Sequence, residues 1–339
     1  IDEIEDPRPW CEIIRQWSTF HPEFSFLPRK FKIAVTGCKK DRAAILVHDI
    51  GLRLIKKDHN VGFEIFVGGG QGRTPHIAKK IHNFLPKKDL LNYLEAILTT
   101  YNSLGRRDNI YKARIKILVN EIGIEKFKTL VDKSFLKLSN KKLELDKKTI
   151  HDIFKYFKLP KLKSSKNKIT ISKNQEFNNW VKQNVIPHKI LGNSIVLISL
   201  KPEGKPPGDA SSEQMDKLAN IADKFSYGEI RVTHEQNLVL PHVSNQNIFN
   251  LWDELNKINL ATANIGLITD TICCPGMDYC ALATARSIPI SQKISSYFNS
   301  YSDQKKIGEL KIKISGCINA CGHHHVGNIG ILGLDRNGE

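Results

Sequence analysis

Seven cysteines lie in the chain, and five of them fall between residues 273 and 321. Cys274 and Cys280 enclose five residues, and Cys317 and Cys321 enclose three. Two such pairs make four soft thiolates, the ligand number of a [4Fe–4S] cluster. Thiolates also select zinc or Cu(I). Structural zinc favours tighter Cys-x2-Cys or Cys-x4-Cys spacing, so the spacing ranks a cluster ahead of zinc and leaves plain buried thiols as a third reading. Adjacent thiolates do not easily share one cube, and Cys273 therefore reads as a small buried residue. An odd, uneven set of cysteines is no disulfide scaffold.

Three other stretches carry possible chemistry. The run Gly68-Gly69-Gly70-Gln71-Gly72-Arg73-Thr74-Pro75 offers backbone N–H groups, at Gly69 and Gly70 among others, and the cation Arg73 to an anion. It matches neither a Walker A loop nor Gly-x-Gly-x-x-Gly, and glycine loops often only make turns. In Leu27–Lys32, Lys30 and Lys32 stand two apart at an expected strand start, so they share one face and suit a small anion. An isolated Lys-x-Lys is otherwise two surface lysines. His323, His324 and His325 follow Cys321 directly. Three neighbours cannot all bind one metal, so they read as cluster surroundings or anion contacts.

The elements that position these residues are partly legible. Strands are expected at Phe31–Thr36, Ile45–Ile50 and Gly62–Val67, with a helix near Asp41–Ala44. Helical spacing marks 87–104 and 108–121. Residues 1–27 read as a lead-in belonging to an upstream domain, and Lys161–Lys173 as a linker. Beyond it, strand Ile195–Leu200, helix Ser211–Phe225 and strands Glu229–Thr233 and Asn237–Leu240 suit half of a ferredoxin-like sandwich. A third unit from about Ile265 carries the cysteines. A short repeat links Lys32–Cys38 to Ile312–Cys317: each is a strand ending in Thr/Ser-Gly-Cys, followed by a second strand ending among glycines. If real, it makes the two α/β segments duplicated halves, of which only the second kept its cysteine cluster. The chain begins at Ile1, and Gly327–Leu334 reads as a strand running into an Asn337-Gly338 hairpin turn with no return strand. A fragment is expected, a frayed natural terminus being the alternative.

Composition bounds the function. With 339 residues, 40% hydrophobic and 25% charged, the chain is globular and long enough for two or three domains. Disorder, collagen and coiled coil are excluded for the whole chain. No apolar run reaches the roughly 18 residues of a membrane span, and no signal peptide is evident. A cytoplasmic protein without membrane contact is expected. The net charge of +16 attracts anions, although Lys-rich loops explain part of it. No zinc-finger spacing or aromatic RNA-binding motif points to nucleic acid.

Assembled, these residues resemble the siroheme-dependent sulfite and nitrite reductases. Cys274-x5-Cys280…Cys317-x3-Cys321 is similar to their cluster signature, and Leu27–Lys32 to their substrate-lysine motif. Gly68–Pro75 and Gly105-Arg106-Arg107-Asp108-Asn109 are similar to their first α/β half. Arg231-Val232-Thr233-His234-Glu235-Gln236-Asn237-Leu238 resembles the hallmark of their ferredoxin-like half-domain. The motifs stand in the family's order and cover nearly the whole chain.

The resemblance implies an α+β fold, with reductase-type α/β halves at 1–160 and 263–339 and a ferredoxin-like half-domain at 161–262 between them. It implies siroheme and a [4Fe–4S] cluster as cofactors. Cys274, Cys280, Cys317 and Cys321 would hold the cluster, Cys321 also bridging to the siroheme iron. Asn319 would sit against the siroheme, with Arg107 and Arg114 as partners for its carboxylates. Lys30 and Lys32 would meet the substrate. The implied reaction is six-electron reduction of sulfite to sulfide, or of nitrite to ammonia, fed by ferredoxin or a flavoprotein reductase. Nothing here matches the family's N-terminal ferredoxin-like half, which supplies further arginines, so the pocket is expected to be incomplete and this chain alone inactive; Arg231 reads as structural. A siroheme-free electron-transfer protein and a basic zinc protein that binds nucleic acid are the readings from other classes.

Overall fold

The computed structural model describes residues 2–138 and 146–335, which form two units meeting in sequence at Leu159 and Pro160. The first unit contains α1 (Arg8–Ser18), α2 (Pro22–Ser25), β1 (Ile33–Thr36), β2 (Ile50–Lys57), β3 (Asn60–Val67), β4 (Lys79–Pro86), α3 (Leu90–Leu104), α4 (Ile115–Ile122), α5 (Ile124–Leu138) and α6 (Lys147–Tyr156). Its sheet runs β1-β2-β3-β4, with β1 parallel to β2 and the other pairs antiparallel. Helix α3 is apolar around most of its circumference, and Leu90, Tyr93, Leu94, Ile97, Leu98 and Tyr101 are all buried in the core of this unit.

Residues 1–27 are no detached lead-in. Trp10, Ile13, Ile14 and Trp17 recur at helical spacing along α1 and join the same core as Phe63 and Leu54. Two further expectations fail for local reasons. No helix forms near Asp41–Ala44, because the Asp41 carboxylate accepts the N–H groups of Ala43 and Ile45 and builds a turn. A 3-10 turn at Ile45–Val47 follows, so the strand starts at Ile50 rather than Ile45. The helix expected over 108–121 is delayed to Ile115, since Asn109 caps a separate 3-10 turn at Ile110–Lys112.

The second unit contains α7 (Gln175–Asn184), β5 (Val185–Pro187), β6 (Asn193–Ser199), α8 (Ser212–Phe225), β7 (Arg231–Val232), β8 (Asn237–Ser244), α9 (Ile248–Lys257), β9 (Ile272–Cys273), α10 (Ile288–Tyr297), α11 (Tyr301–Ile307), β10 (Ile312–Ser315) and β11 (Ile329–Leu332). One sheet is antiparallel, in the order β5-β6-β8-β7. Helix α8 starts where expected, on a capping box in which the Ser211 hydroxyl accepts from Gln214 N while Gln214 Oε1 accepts from Ser211 N. Strand β8 outruns the expected Leu240 to Ser244, because the sheet absorbs Pro241 with a register shift between Ser194 and Val196. The other sheet is parallel, in the order β11-β10-β9. The Asn337-Gly338 turn lies outside the described residues. No helix among the described residues is long and apolar enough to cross a membrane.

The repeat is visible in the backbone. Ile33 pairs with Ile50, and Ile312 with Ile329, in parallel. Lys32 N donates to Asp49 Oδ2, and Lys311 N to Asn328 Oδ1, each over 17 residues. Each copy makes its crossover through a 3-10 turn entered by a left-handed residue, Ala44 (φ 51°) or His323 (φ 57°).

A buried acid in the first unit makes stability depend on pH. Burial, then the neighbouring charge of Glu23, raises the Glu95 carboxyl from the usual 4.5 to about 7. The folded chain therefore takes up a proton between those values, and stability falls as pH rises through that window. Glu95→Gln is expected to gain stability over the parent across it and to hold a constant advantage above it. Urea unfolding on either side of the window checks this; an unchanging difference would refute it.

Candidate functional site

The cysteines sit where the parallel sheet of the second unit hands over to turns. Cys274 leaves β9 with its N–H on Ile314 O at 3.1 Å, and its Sγ accepts the N–H of Gly316 at 3.1 Å. Ser287 Oγ donates to Cys274 O at 2.6 Å. A 3-10 turn at Gly276–Asp278 then brings Cys280 round, its N–H on Gly276 O at 2.9 Å. Cys317 and Cys321 bracket a turn after β10 that includes Ala320 at φ 58°. The two loops are laced together by Thr284 N and Ala285 N, both donating to Gly316 O. Glycine is required at this seam: a Cβ on Gly316 would fall 2.7 Å from Ala285 O and 2.9 Å from Gly276 Cα.

All four cysteines are free. Cys274 and Cys317 are buried, Cys280 is half-buried and Cys321 is exposed. Among the described residues no three His, Cys, Asp or Glu side chains converge to the spacing of a single metal ion. A cubane cluster separates its thiolates more widely than one ion does. Four free thiols on two interlocked loops, one already receiving a backbone N–H, fit that group. Burial pushes the Cys273 thiol up to about 12, beside the opposing Ser287 hydroxyl, so it stays protonated and donates to Cys274 O. Asn319 is exposed on the Cys317–Cys321 turn. His324 is buried, its ring tilted 43° to that of His325 with the centroids 4.0 Å apart, and neither of its ring nitrogens has a hydrogen-bond partner among the described residues.

In the first unit the expected residues gather around a carboxylate that the motifs did not single out. Asp49 is fully buried. It accepts Lys32 N at 2.9 Å, Arg114 Nε at 3.2 Å and Arg114 Nη2 at 2.7 Å. Burial still leaves its carboxyl above the ordinary range, against the pull of Arg114. The glycine loop closes over the same group. A side chain at Gly70 would fall 2.9 Å from Lys116 Cδ and 3.0 Å from Arg114 Nη2. Lys116 Nζ donates to Gln71 O at 2.8 Å and to Thr74 O, tying the loop down. Burial, then Arg114, lowers its ammonium to about 8. His48 is held below the ordinary imidazole value chiefly by burial, with the charge of Lys32 adding to it.

Lys32, Gly70 and Arg114 thus come together, and Gly69 packs under Leu46 O and His48 O. Lys30 and Arg73 are exposed. Strand β1 begins only at Ile33, so both lysines stand ahead of it rather than within it. Arg107 stands apart from this group: its Nη2 donates to Phe26 O at 2.6 Å, pinning the segment that leads to the lysines. The charge of Arg114 is already balanced by Asp49. In the second copy, Arg42 of the first is replaced by Cys321 and Cys38 by Cys317, so the first copy has a lone buried thiol that donates to Lys40 O. The sequence carried no signal for Asp49, which fell inside the strand expected at Ile45–Ile50 and lies in fact just ahead of β2.

Asn328 does for Lys311 what Asp49 does for Lys32, so a neutral amide serves the strand and the charge serves Arg114. Asp49→Asn is therefore expected to keep the Lys32 bond but leave the half-buried Arg114 guanidinium without its counter-charge, costing about 2 kcal/mol. Adding Arg114→Met should restore much of that loss. Denaturant unfolding of both variants checks this, and a neutral Asp49→Asn would contradict it.

Residues 1–138 match the model for the nitrite and sulphite reductase 4Fe-4S domain, and residues 203–258 that for the nitrite/sulfite reductase ferredoxin-like half domain. The first match covers the copy that holds only Cys11 and Cys38. A chloroplastic ferredoxin–nitrite reductase of Arabidopsis thaliana is 27% identical over 100% of this chain and 53% of its own length. A ferredoxin sulfite reductase of Mycolicibacterium paratuberculosis is 24% identical over 98% and 54%. The solved structure of the NirA protein of Mycobacterium tuberculosis shares the fold, with a TM-score of 0.73 at 22% identity over 99% of this chain and 56% of that one. The chain spans about half the length of the curated relatives it matches. With both family models in chain order, it belongs to the nitrite and sulphite reductase family, whose cofactors are siroheme and a [4Fe–4S] cluster.

Proposed function

We propose that this chain carries out, as part of a siroheme- and cluster-dependent enzyme, the six-electron reduction of sulfite to sulfide. The observation that carries the reading is the pair of interlocked cysteine loops, with the Gly316 N–H already on Cys274 Sγ. Nitrite reduction is the second reading, favoured by the several relatives named as ferredoxin–nitrite reductases. Those names also favour ferredoxin over a flavoprotein as donor. A division into segments 1–160, 161–262 and 263–339 goes with this proposal.

Cys274, Cys280, Cys317 and Cys321 would hold the cluster, and Cys321, the exposed one, would also serve the siroheme. When bound, the two cofactors supply the electrons and the iron that holds the substrate. Asn319, exposed on the same turn, would help hold the siroheme. The exposed ammonium of Lys30 attracts the anion and gives protons as its bonds to oxygen break. Lys32 does the same from a backbone fixed by Asp49. Arg73, on its tethered loop, meets cofactor carboxylates, and the Gly69–Gly70 backbone comes close behind it. Arg107 serves the lysine segment through Phe26 O, and Arg114 serves it through Asp49.

Two variants and one comparison test this on the whole enzyme that contains this chain, purified anaerobically and made alongside siroheme synthesis. Lys30→Met should keep both cofactors by absorption and iron content but slow sulfite turnover by about a hundredfold; unchanged turnover removes the lysine from catalysis. Cys321→Ser should lose labile sulfide and the electronic coupling between cluster and siroheme. A large preference for nitrite in kcat/KM would replace sulfite by the second reading.

A further inference from the structure

The cysteine segment is held by something outside its own sheet. Strand β9 is only two residues long. One edge of it pairs with β10, through Ile272 opposite Lys313 and Cys273 opposite Ile314. On the other edge, the N–H and C=O of Cys273 meet a single side chain: Cys273 N donates to Gln236 Oε1 at 2.8 Å, and Gln236 Nε2 donates to Cys273 O at 2.8 Å. A primary amide here completes both bonds that another strand would make. The next N–H, that of Cys274, turns the opposite way onto Ile314 O. The peptide between Cys273 and Cys274 is thus clamped from both sides, which sets the direction in which Cys274 Sγ leaves the chain.

Gln236 is built for this reach. It is at φ 57°, in the left-handed region that non-glycine residues rarely adopt. Such conformations persist where the surroundings over-determine them. Thr233 Oγ1 accepts the N–H groups of Glu235 and Asn237, closing the turn from within. The flanking residues bind the same region. Glu235 pairs with Lys311 at the head of β10, and Asn237 Nδ2 donates to Asp270 Oδ1 at 3.0 Å. Lys201, almost fully buried, bridges Glu235 O and the Asp270 carboxylate.

We propose that Gln236 is a positioning residue for the cluster: its side-chain amide aims Cys274 by holding the backbone of Cys273. The proposal rests on the reading of Cys274 as a cluster ligand. It gives the Thr233–Asn237 turn a task beyond joining two strands of its own sheet.

The test compares wild type, Gln236→Ala and Gln236→Glu as anaerobic holoprotein. The readouts are the rate of labile-sulfide loss under air, the cluster midpoint potential and the melting of the cluster-free protein. Gln236→Ala should lose sulfide about tenfold faster, the usual size of an outer-shell effect, with a shifted potential. Gln236→Glu keeps the acceptor for Cys273 N and loses the donor to Cys273 O, so it should fall between. Wild-type loss rate and potential in a folded Gln236→Ala overturn the proposal. If that variant does not fold, wild-type behaviour of Gln236→Glu overturns it equally, and faster loss supports it. A wild type without labile sulfide removes the cluster reading and this proposal with it; a stable cluster indifferent to Gln236 removes the proposal alone.

Discussion

The duplicated strand pairs, β1 with β2 and β10 with β11, begin on the same constraint: the amide just ahead of the first strand must find an acceptor, and the residue just ahead of the second strand supplies it. Asp49 and Asn328 fill that place. An unpaired amide there would be costly, and the crossover must return to one register to pair it. In the first copy the acceptor is charged, so it also gathers a guanidinium, and through it the glycine loop. In the second it is neutral, and the crossover instead displays thiols and imidazoles. The duplicated geometry is the scaffold, and the charge at this one position is a difference between the two copies that the backbone hydrogen bond does not register.

How much of this could be read beforehand varies with the kind of signal. The cysteine pairs, the glycine run and the Lys-x-Lys are local in sequence, and each was visible as a motif. The capped helix at Ser212–Phe225 and the apolar strand before Val67 were visible for the same reason. Helix α1 was misjudged because prolines at positions 7 and 9 look like a loop, although one of them occupies the first turn, where a missing N–H costs nothing. The strand through Pro241 was cut short because proline normally ends a central strand. Only the partner strand shows the bulge that admits it.

The side chains that organise the sites were the least legible. Asp49 and Gln236 are single polar residues whose partners lie 65 and 37 residues away. Nothing in their own neighbourhood distinguishes them from ordinary turn residues. Lys116 reads as part of an amphipathic helix, and only the fold puts its ammonium under the glycine loop. Residues that touch ligands recur as motifs because the ligand imposes the spacing. The residues that hold them answer only to the tertiary structure.

The matched crossovers have a consequence for what the fold tolerates. The same strand, left-handed entry, 3-10 turn and second strand carry Cys38, Arg42 and Ile45 in one place and Cys317, Cys321 and His324 in the other. The backbone is indifferent to which set it bears. Such a segment behaves as an interchangeable cassette, in which new chemistry can be installed by side-chain replacement without renegotiating the path of the chain.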